Sequence, residues 1–169
     1  MIVSDPGSEI KLFVTDVDGT LTDGGMYYTA QGEYMKRFNT RDGMGLSMLR
    51  QAGVEVAIMT GEDSEIVLRR AEKLKITHVV IGVQDKMAPL RALCETLNVP
   101  LSCVAYVGDD VNDLEVMRNV RLAFAVADAD PRVLKAAHVR LSKRGGEGAV
   151  REAAEWILSR ISRDVSGAR

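Results

Sequence analysis

Two carboxylates, Asp16 and Asp18, stand one residue apart just beyond the apolar run Ile10 to Val14, and Gly19 and Thr20 follow them. An aspartate beyond the carboxyl end of a buried strand can attack phosphorus and carry a covalent phosphoryl group. Ordinary turn chemistry also puts Asp and Gly after a strand. Thr60, Lys86 and the acidic set Asp109, Asp110 and Asp113 each fall just beyond a later apolar run. Singly, each has an ordinary explanation: Asp as a helix N-cap, Thr60 as a turn residue, Lys86 as a solvated side chain. Their joint occurrence in this order is what points to chemistry.

Two unit charges about 4 Å apart repel by roughly 4 kcal/mol at an effective dielectric near 20, and a crevice gathering these residues holds at least three carboxylates. A hard divalent cation with one lysine beside it keeps them ionised at neutral pH. All-oxygen ligands with no histidine nearby favour Mg2+ over zinc. We assign the metal to the Asp16 carboxylate, the Asp18 main-chain carbonyl and the Asp109 carboxylate. Asp113 is expected behind them, orienting water or Lys86.

Placing these residues together requires a sheet. Ile10 to Val14, Val54 to Met59, His78 to Ile81, Val104 to Val107, Leu122 to Val126 and Val139 to Leu141 read as strands. Between them lie helical patterns: one opened by Asn39 to Gly43 with Met44, Leu46, Met48 and Leu49 apolar and a stop at Gly53, and one with Ile66, Val67, Ala71 and Leu74 on one face. Met87, Leu90, Leu93, Cys94 and Leu97 mark a third, ended by Asn98-Val99-Pro100, and shorter helices run through Met117 and over Pro131 to Ala137. A closing helix from Gly148 carries Val150, Ala154, Ile157 and Ile161, and Ser166 to Arg169 are expected to fray. Alternation at this spacing predicts an α/β fold, a three-layer αβα sandwich with a central parallel, Rossmann-like sheet.

The exception is Met26 to Thr29 and Glu33 to Phe38, two β-prone runs around Ala30-Gln31-Gly32, which predict a hairpin flap at about 24–38. A hairpin bearing Met26, Tyr27, Tyr28, Tyr34, Met35 and Phe38 needs another surface. Either it folds back on its own sheet or it is an oligomer contact.

With 169 residues, 46% of them hydrophobic and 27% charged, the chain fits one domain, 1–169, with a proper core and no room for a second catalytic domain. A net charge of −2 with scattered basic residues gives no field for nucleic acid. Cys94 and Cys103 lack metal spacing and read as reduced core thiols. Met1-Ile2-Val3-Ser4-Asp5-Pro6 has no basic segment leading into a long apolar one, and no run approaches membrane-spanning length, so the expected location is the cytoplasm, with no membrane partner.

Asp16-Val-Asp18-Gly-Thr, Thr60-Gly, Lys86 and Gly108-Asp-Asp-x-Asn-Asp113 together resemble, in order, the four motifs of the haloacid-dehalogenase-like phosphohydrolases. The resemblance implies a two-step phosphoryl transfer. Asp16 is the nucleophile. Asp18 protonates the leaving oxygen and then activates water, Thr60 and Lys86 bind the phosphate oxygens, and Mg2+ offsets charge. Many members of that superfamily carry a cap domain after the first motif or between the second and third. Neither gap here is long enough for one, so the site is closed by a partner subunit or open to a large substrate.

Phe38-Asn39-Thr40-Arg41-Asp42-Gly43 and Arg144-Gly145-Gly146-Glu147-Gly148 resemble the capless 3-deoxy-D-manno-octulosonate 8-phosphate phosphatase family. The Arg-Gly-Gly segment alone can also be read, less readily, as a flexible loop before a helix. What the family resemblance implies is a homotetramer with hairpins at its centre, each site covered by a neighbouring chain, and a sugar acid phosphate of cell-surface carbohydrate synthesis as substrate. It makes Asn39, Arg41, Asp42, Gly43, Gly61, Glu62, Arg70 and Lys73 the candidate substrate-binding residues. The sequence departs from the family pattern in having Glu62 after Thr60-Gly61, and Ser47 in the preceding helix, where arginines are usual. Arg and Glu have opposite charge and opposite hydrogen-bonding roles, so the contacts to the sugar acid cannot all be kept. Glu62 with Lys73 resembles the branch acting on nine-carbon keto-deoxy sugar acid 9-phosphates. There a carboxylate would accept from extra hydroxyls while Arg70 or Lys73 holds the substrate carboxylate. Both residues read equally as surface charges. Two alternatives stand beside the phosphatase: a receiver-like phospho-aspartate signalling domain, against which Asp18 argues, and a regulatory subunit of a sugar-nucleotide synthetase.

Overall fold

The computed structural model describes residue 7 and residues 9–166, with side chains through residue 161. The N-terminal hexapeptide and residues 167–169 of the expected frayed end lie outside the described residues. Strands β1 (Leu12–Thr15), β4 (Glu55–Met59), β5 (His78–Val80), β6 (Val104–Gly108), β7 (Leu122–Ala125) and β8 (Val139–Arg140) form one sheet in the order β5-β4-β1-β6-β7-β8, every pairing parallel. Parallel strands covered on both faces are apolar throughout, and Leu12, Phe13, Val14, Ile58, Tyr106, Val107 and Phe124 are wholly buried.

Helices α1 (Thr40–Gln51), α2 (Glu65–Leu74) and α6 (Ala149–Ser166) pack together, and so do α3 (Met87–Leu97), α4 (Leu114–Asn119) and α5 (Pro131–Ala136). Right-handed crossovers put these two sets on opposite faces of the sheet, completing the three-layer sandwich. From β1 the chain builds outward through β4 to β5 on one side and through β6 to β8 on the other. The order therefore reverses at β1, and a crevice opens beyond its carboxyl end.

The helix α1 buries a different stripe from the one its apolar residues suggest. Leu46 and Leu49 are buried, but Met44 is 56% exposed and the rest of the buried face is Asp42, Gly43 and Gly45. A Cβ on Gly45 would lie 2.9 Å from the Arg151 Cα, so the small residue sets how closely α1 approaches α6. Strands β2 (Tyr27–Thr29) and β3 (Gly32–Met35) pair antiparallel as a separate two-stranded sheet, its base closed by a Thr22–Phe38 bridge. The hairpin does not add to the main sheet, and it leaves Tyr28 60% and Tyr34 69% exposed. Both cysteines are free thiols, and among the described residues no helix is long and apolar enough to cross a membrane.

Candidate active site

The ladder between β1 and β6 runs one residue past β1, because the Asp16 N–H donates to the Val107 carbonyl at 3.1 Å. That bond fixes Asp16, which is buried, at the mouth of the crevice. The chain then turns over the Val17 carbonyl, which accepts from the N–H groups of Thr20, Leu21 and Thr22. Gly19 takes φ +81°, and a Cβ there would stand 2.0 Å from Asp109 Oδ2, so both its conformation and its space require glycine. Asp109, at the end of β6, accepts from the Thr20 hydroxyl at 3.2 Å.

Lys86 comes from the start of α3 and is fully buried. Its ammonium donates to Asp16 Oδ1 at 2.6 Å and Asp113 Oδ1 at 2.7 Å, with the Tyr106 hydroxyl oxygen at 3.3 Å. The Tyr106 hydroxyl itself donates to Asp113 Oδ1 at 2.6 Å. Asp113 Oδ2 accepts from the N–H groups of Asp109 at 3.0 Å and Asp110 at 3.3 Å. Both oxygens of Asp113 are thus committed, which leaves it a scaffold for Lys86 and the Asp109 loop.

Asp16, Asp109 and Asp113 offer oxygens that all lie within 4.8 Å of one another. Burial, then the Asp113 charge, pushes Asp16 up to about 6 despite Lys86, and burial with the Asp16 and Asp113 charges pushes Asp109 up to about 8. Burial works against the Lys86 ammonium, but the two carboxylates outweigh it and raise its pKa. Carboxylates held out of the ordinary range by one another are the donor set a hard divalent cation satisfies, and Asp16 and Asp109 are the two with oxygens to spare.

A cavity of about 150 Å³ lies over these groups, lined by Asp16, Asp18, Thr60, Gly61, Glu62, Asp109, Asp110 and Asn112. Thr60 Oγ1 sits 3.5 Å from Asp18 Oδ2 and accepts from the Glu62 N–H at 3.2 Å. Larger grooves elsewhere carry none of this chemistry.

The remaining candidate residues form a second group. Asn39 caps α1 by accepting from the Arg41 N–H at 2.9 Å and donates to the Gly146 carbonyl at 3.1 Å; the Arg41 side chain is exposed. Arg70 donates to the Asn39 carbonyl at 3.3 Å and lies over the Phe38 ring, and a Cβ on Gly43 would reach within 2.6 Å of it. Asp42 is buried at the start of α6, accepting from the Arg151 N–H at 2.9 Å, and burial raises its pKa against the backbone hydrogen bonds it receives. Asn39, Asp42, Gly43 and Arg70 join α1, α2, α6 and the 144–148 loop. Within one chain they do not line the cavity, and Lys73 lies farther off, in a groove with Ser47, Arg50 and Gln51. The glycine pair is explained by packing: a Cβ on Gly145 would fall 1.8 Å from the Gly19 carbonyl oxygen, and the Gly146 N–H donates to the Thr20 carbonyl at 3.0 Å.

Sequence reasoning missed Tyr106, Thr20 and, above all, Lys36. The Lys36 ammonium donates to Asp18 Oδ1 at 2.6 Å and pairs with Glu33 at 2.5 Å, and Glu33 in turn accepts from the Ser64 hydroxyl. Burial disfavours the Lys36 charge, but hydrogen bonds to the two carboxylates outweigh it and raise its pKa. The one available signal was the Glu33-x-x-Lys36 spacing beside the flap.

Residues 82–152 match the haloacid dehalogenase-like hydrolase family. The 3-deoxy-D-manno-octulosonate 8-phosphate phosphatase of Yersinia pestis is 44% identical over 151 residues, 89% of this chain and 81% of that protein. The cobalt-bound deoxy-D-mannose-octulosonate 8-phosphate phosphatase of Haemophilus influenzae superposes with a TM-score of 0.92 at 38% identity, covering 98% of this chain and 96% of that one. The Moraxella catarrhalis phosphatase, solved with magnesium, phosphate and the sugar acid, gives 0.89 at 37% identity over 97% and 96%. The chain belongs to the 3-deoxy-D-manno-octulosonate 8-phosphate phosphatase family of haloacid dehalogenase-like hydrolases, and it is a phosphoric monoester hydrolase.

Proposed function

We propose that this protein is a Mg2+-dependent phosphatase that hydrolyses 3-deoxy-D-manno-octulosonate 8-phosphate through an aspartyl-phosphate. The observation that carries the reading is Lys86, buried between Asp16 and Asp113, where Asp16 lines a cavity that also presents Asp18 and Thr60. Asp16 attacks phosphorus and the ester P–O bond breaks as Asp18 gives its proton to the leaving alcohol oxygen. Asp18 then takes a proton from water as the water oxygen bonds to phosphorus and the Asp16–phosphorus bond breaks. Thr60 and the Gly61 backbone face the phosphoryl oxygens, with Lys86 supplying fixed positive charge at the nucleophile. Asp16, the Asp18 carbonyl and Asp109 would hold magnesium, which would supply positive charge to offset that of the carboxylates and the phosphoryl group.

A cavity of about 150 Å³ accommodates a phosphate and little of a sugar acid. This supports a capless domain, 1–169, whose substrate is completed by a neighbouring chain, and the exposed hairpin tyrosines supply the contact for a homotetramer. Asn39, Arg41, Arg70 and Lys73 then act on the sugar acid across that contact, with Asp42 and Gly43, both buried, holding the start of α1 beneath them, while Gly61 and Glu62 act within the chain. A cytoplasmic location accords with such a substrate. Glu62, at the cavity rim, favours a second reading in which a nine-carbon 9-phosphate is preferred.

Phosphate release from the eight-carbon and nine-carbon phosphates, with and without chelator, tests the proposal. The expected result is chelator-sensitive turnover with a clear preference for the eight-carbon ester. A preference for the 9-phosphate establishes the second reading, and equal, poor rates on both defeat both. Asp18→Asn is expected to lose nearly all turnover while still binding metal. A receiver-like domain would instead accept phosphate on Asp16 and hold it.

A further inference from the structure

Lys36 is the feature the mechanism does not use. It follows β3 on the hairpin, outside all four motifs, yet its side chain is 0% exposed. Withdrawing an ammonium from water is costly unless it is paired, and here two carboxylates take it up, Asp18 at 2.6 Å and Glu33 at 2.5 Å. A hairpin staple alone would need only the Glu33 pair three residues away, which a solvent-facing lysine could make. What the burial adds is the bond to Asp18. That bond engages Oδ1 alone, and Oδ2 is left facing Thr60 Oγ1 at 3.5 Å and the cavity.

We propose that Lys36 is a positioning residue for Asp18: it fastens one carboxylate oxygen to the hairpin so that the other faces the leaving group and carries the proton. The inference rests on the reading of Asp18 as acid and base given above. Glu33 extends the connection to Ser64, at the start of α2 and four residues past Thr60. The proton-transfer carboxylate and the phosphate-facing loop are therefore tied to one lysine on the flap, and the seating of the flap sets the aim of Asp18.

Leaving-group dependence separates this role from a structural one. An alkyl phosphate needs a proton delivered to its departing oxygen, whereas p-nitrophenolate departs without one. In single-turnover measurements, Lys36→Met is expected to slow cleavage of the sugar acid phosphate about tenfold or more while changing nitrophenolate release far less, since positioned acid catalysis is worth at least that much. Lys36→Arg, which keeps the charge and a donor, is expected to restore most of the difference, and KM should hardly move. Glu33→Gln removes the Glu33 charge but keeps a carbonyl acceptor for Lys36 and Ser64 and leaves Asp18 its partner, so the flap stays seated and the ratio of the two rates should stay that of the wild type.

Equal losses on both substrates, no loss on either, or a shift as large in Glu33→Gln would each overturn the proposal. If Lys36→Met does not fold, Lys36→Met combined with Glu33→Gln, which leaves no unpaired Glu33 charge, carries the same measurement against Glu33→Gln alone. Asp18→Asn separates the two levels of failure. Wild-type turnover in that variant removes the acid–base reading itself, whereas an inactive Asp18→Asn beside a Lys36→Met of wild-type ratio removes only the role of Lys36.

Discussion

Stripped of metal, this protein is expected to lose stability as the pH rises toward 8, against the usual behaviour of salt-bridged carboxylates. Asp16, Asp109 and Asp113 present oxygens within 4.8 Å of one another, and one pair of charges at that distance repels by about 3.5 kcal/mol at an effective dielectric near 20. Lys86 offsets the charges of Asp16 and Asp113, but Asp109 meets the Thr20 hydroxyl and the Asp16 carboxyl, and among the described residues no cation pairs with it. Asp109 is accordingly pushed up to about 8 and Asp16 to about 6, from an ordinary 3.8. Because these folded-state values lie above the unfolded one, the native state binds more protons than the unfolded chain across that window. The stabilisation is complete below about pH 4 and is lost as pH rises through about 6 and then about 8. One uncompensated pair, at about 2–4 °C per kcal/mol for a chain this long, lowers Tm by roughly 10 °C. Scanning calorimetry in chelator from about pH 5 to about pH 8 reads the fall directly, and excess Mg2+ at the alkaline end should reverse it. Asp109→Asn should flatten the slope and raise metal-free Tm at the alkaline end while abolishing turnover and the response to magnesium. A Tm that holds or rises with pH in chelator, or an Asp109→Asn slope equal to the wild type, refutes the reasoning.

Two further outcomes follow from the same geometry. Lys86→Met strands the Asp16 and Asp113 carboxylates and should destabilise the metal-free protein by about 3–5 kcal/mol, with activity lost beyond what the remaining folded fraction explains, measured by denaturant titration beside initial rates. Replacing Tyr28 and Tyr34 with Asp should lower the oligomeric state in sedimentation while the monomer fold, read by circular dichroism, is kept, because both side chains are largely exposed.

The strand ends were legible because parallel β/α units put chemistry at one kind of place. Asp16, Thr60, Lys86 and Asp109 each follow an apolar run, and the reversal of strand order at β1 draws them together. Helix α1 was only half legible, since its buried stripe is built from Gly43, Gly45 and Asp42, which carry no hydrophobic signal. Tyr106 escaped notice because β6 is buried on both faces and alternation cannot say which face holds a hydroxyl partner. Lys36 left no signal but its spacing from Glu33. A lysine in a strand-like run reads as solvated, and its burial exists only because the hairpin folds back over the Asp18 loop. Asn39, Asp42 and Arg70, read for substrate contact, turn out also to hold α1, α2 and α6 together, a job that sequence spacing cannot distinguish from recognition.

The central place of β1 in the sheet has a consequence for biosynthesis. The strand that leads to the nucleophile is synthesised before either of its bonding neighbours, residues 55–59 and 104–108. Until residues 55–59 have been translated both edges of this apolar strand are bare, and until residues 104–108 follow one of them still is, a template for mispairing that a stalled or truncated product would keep.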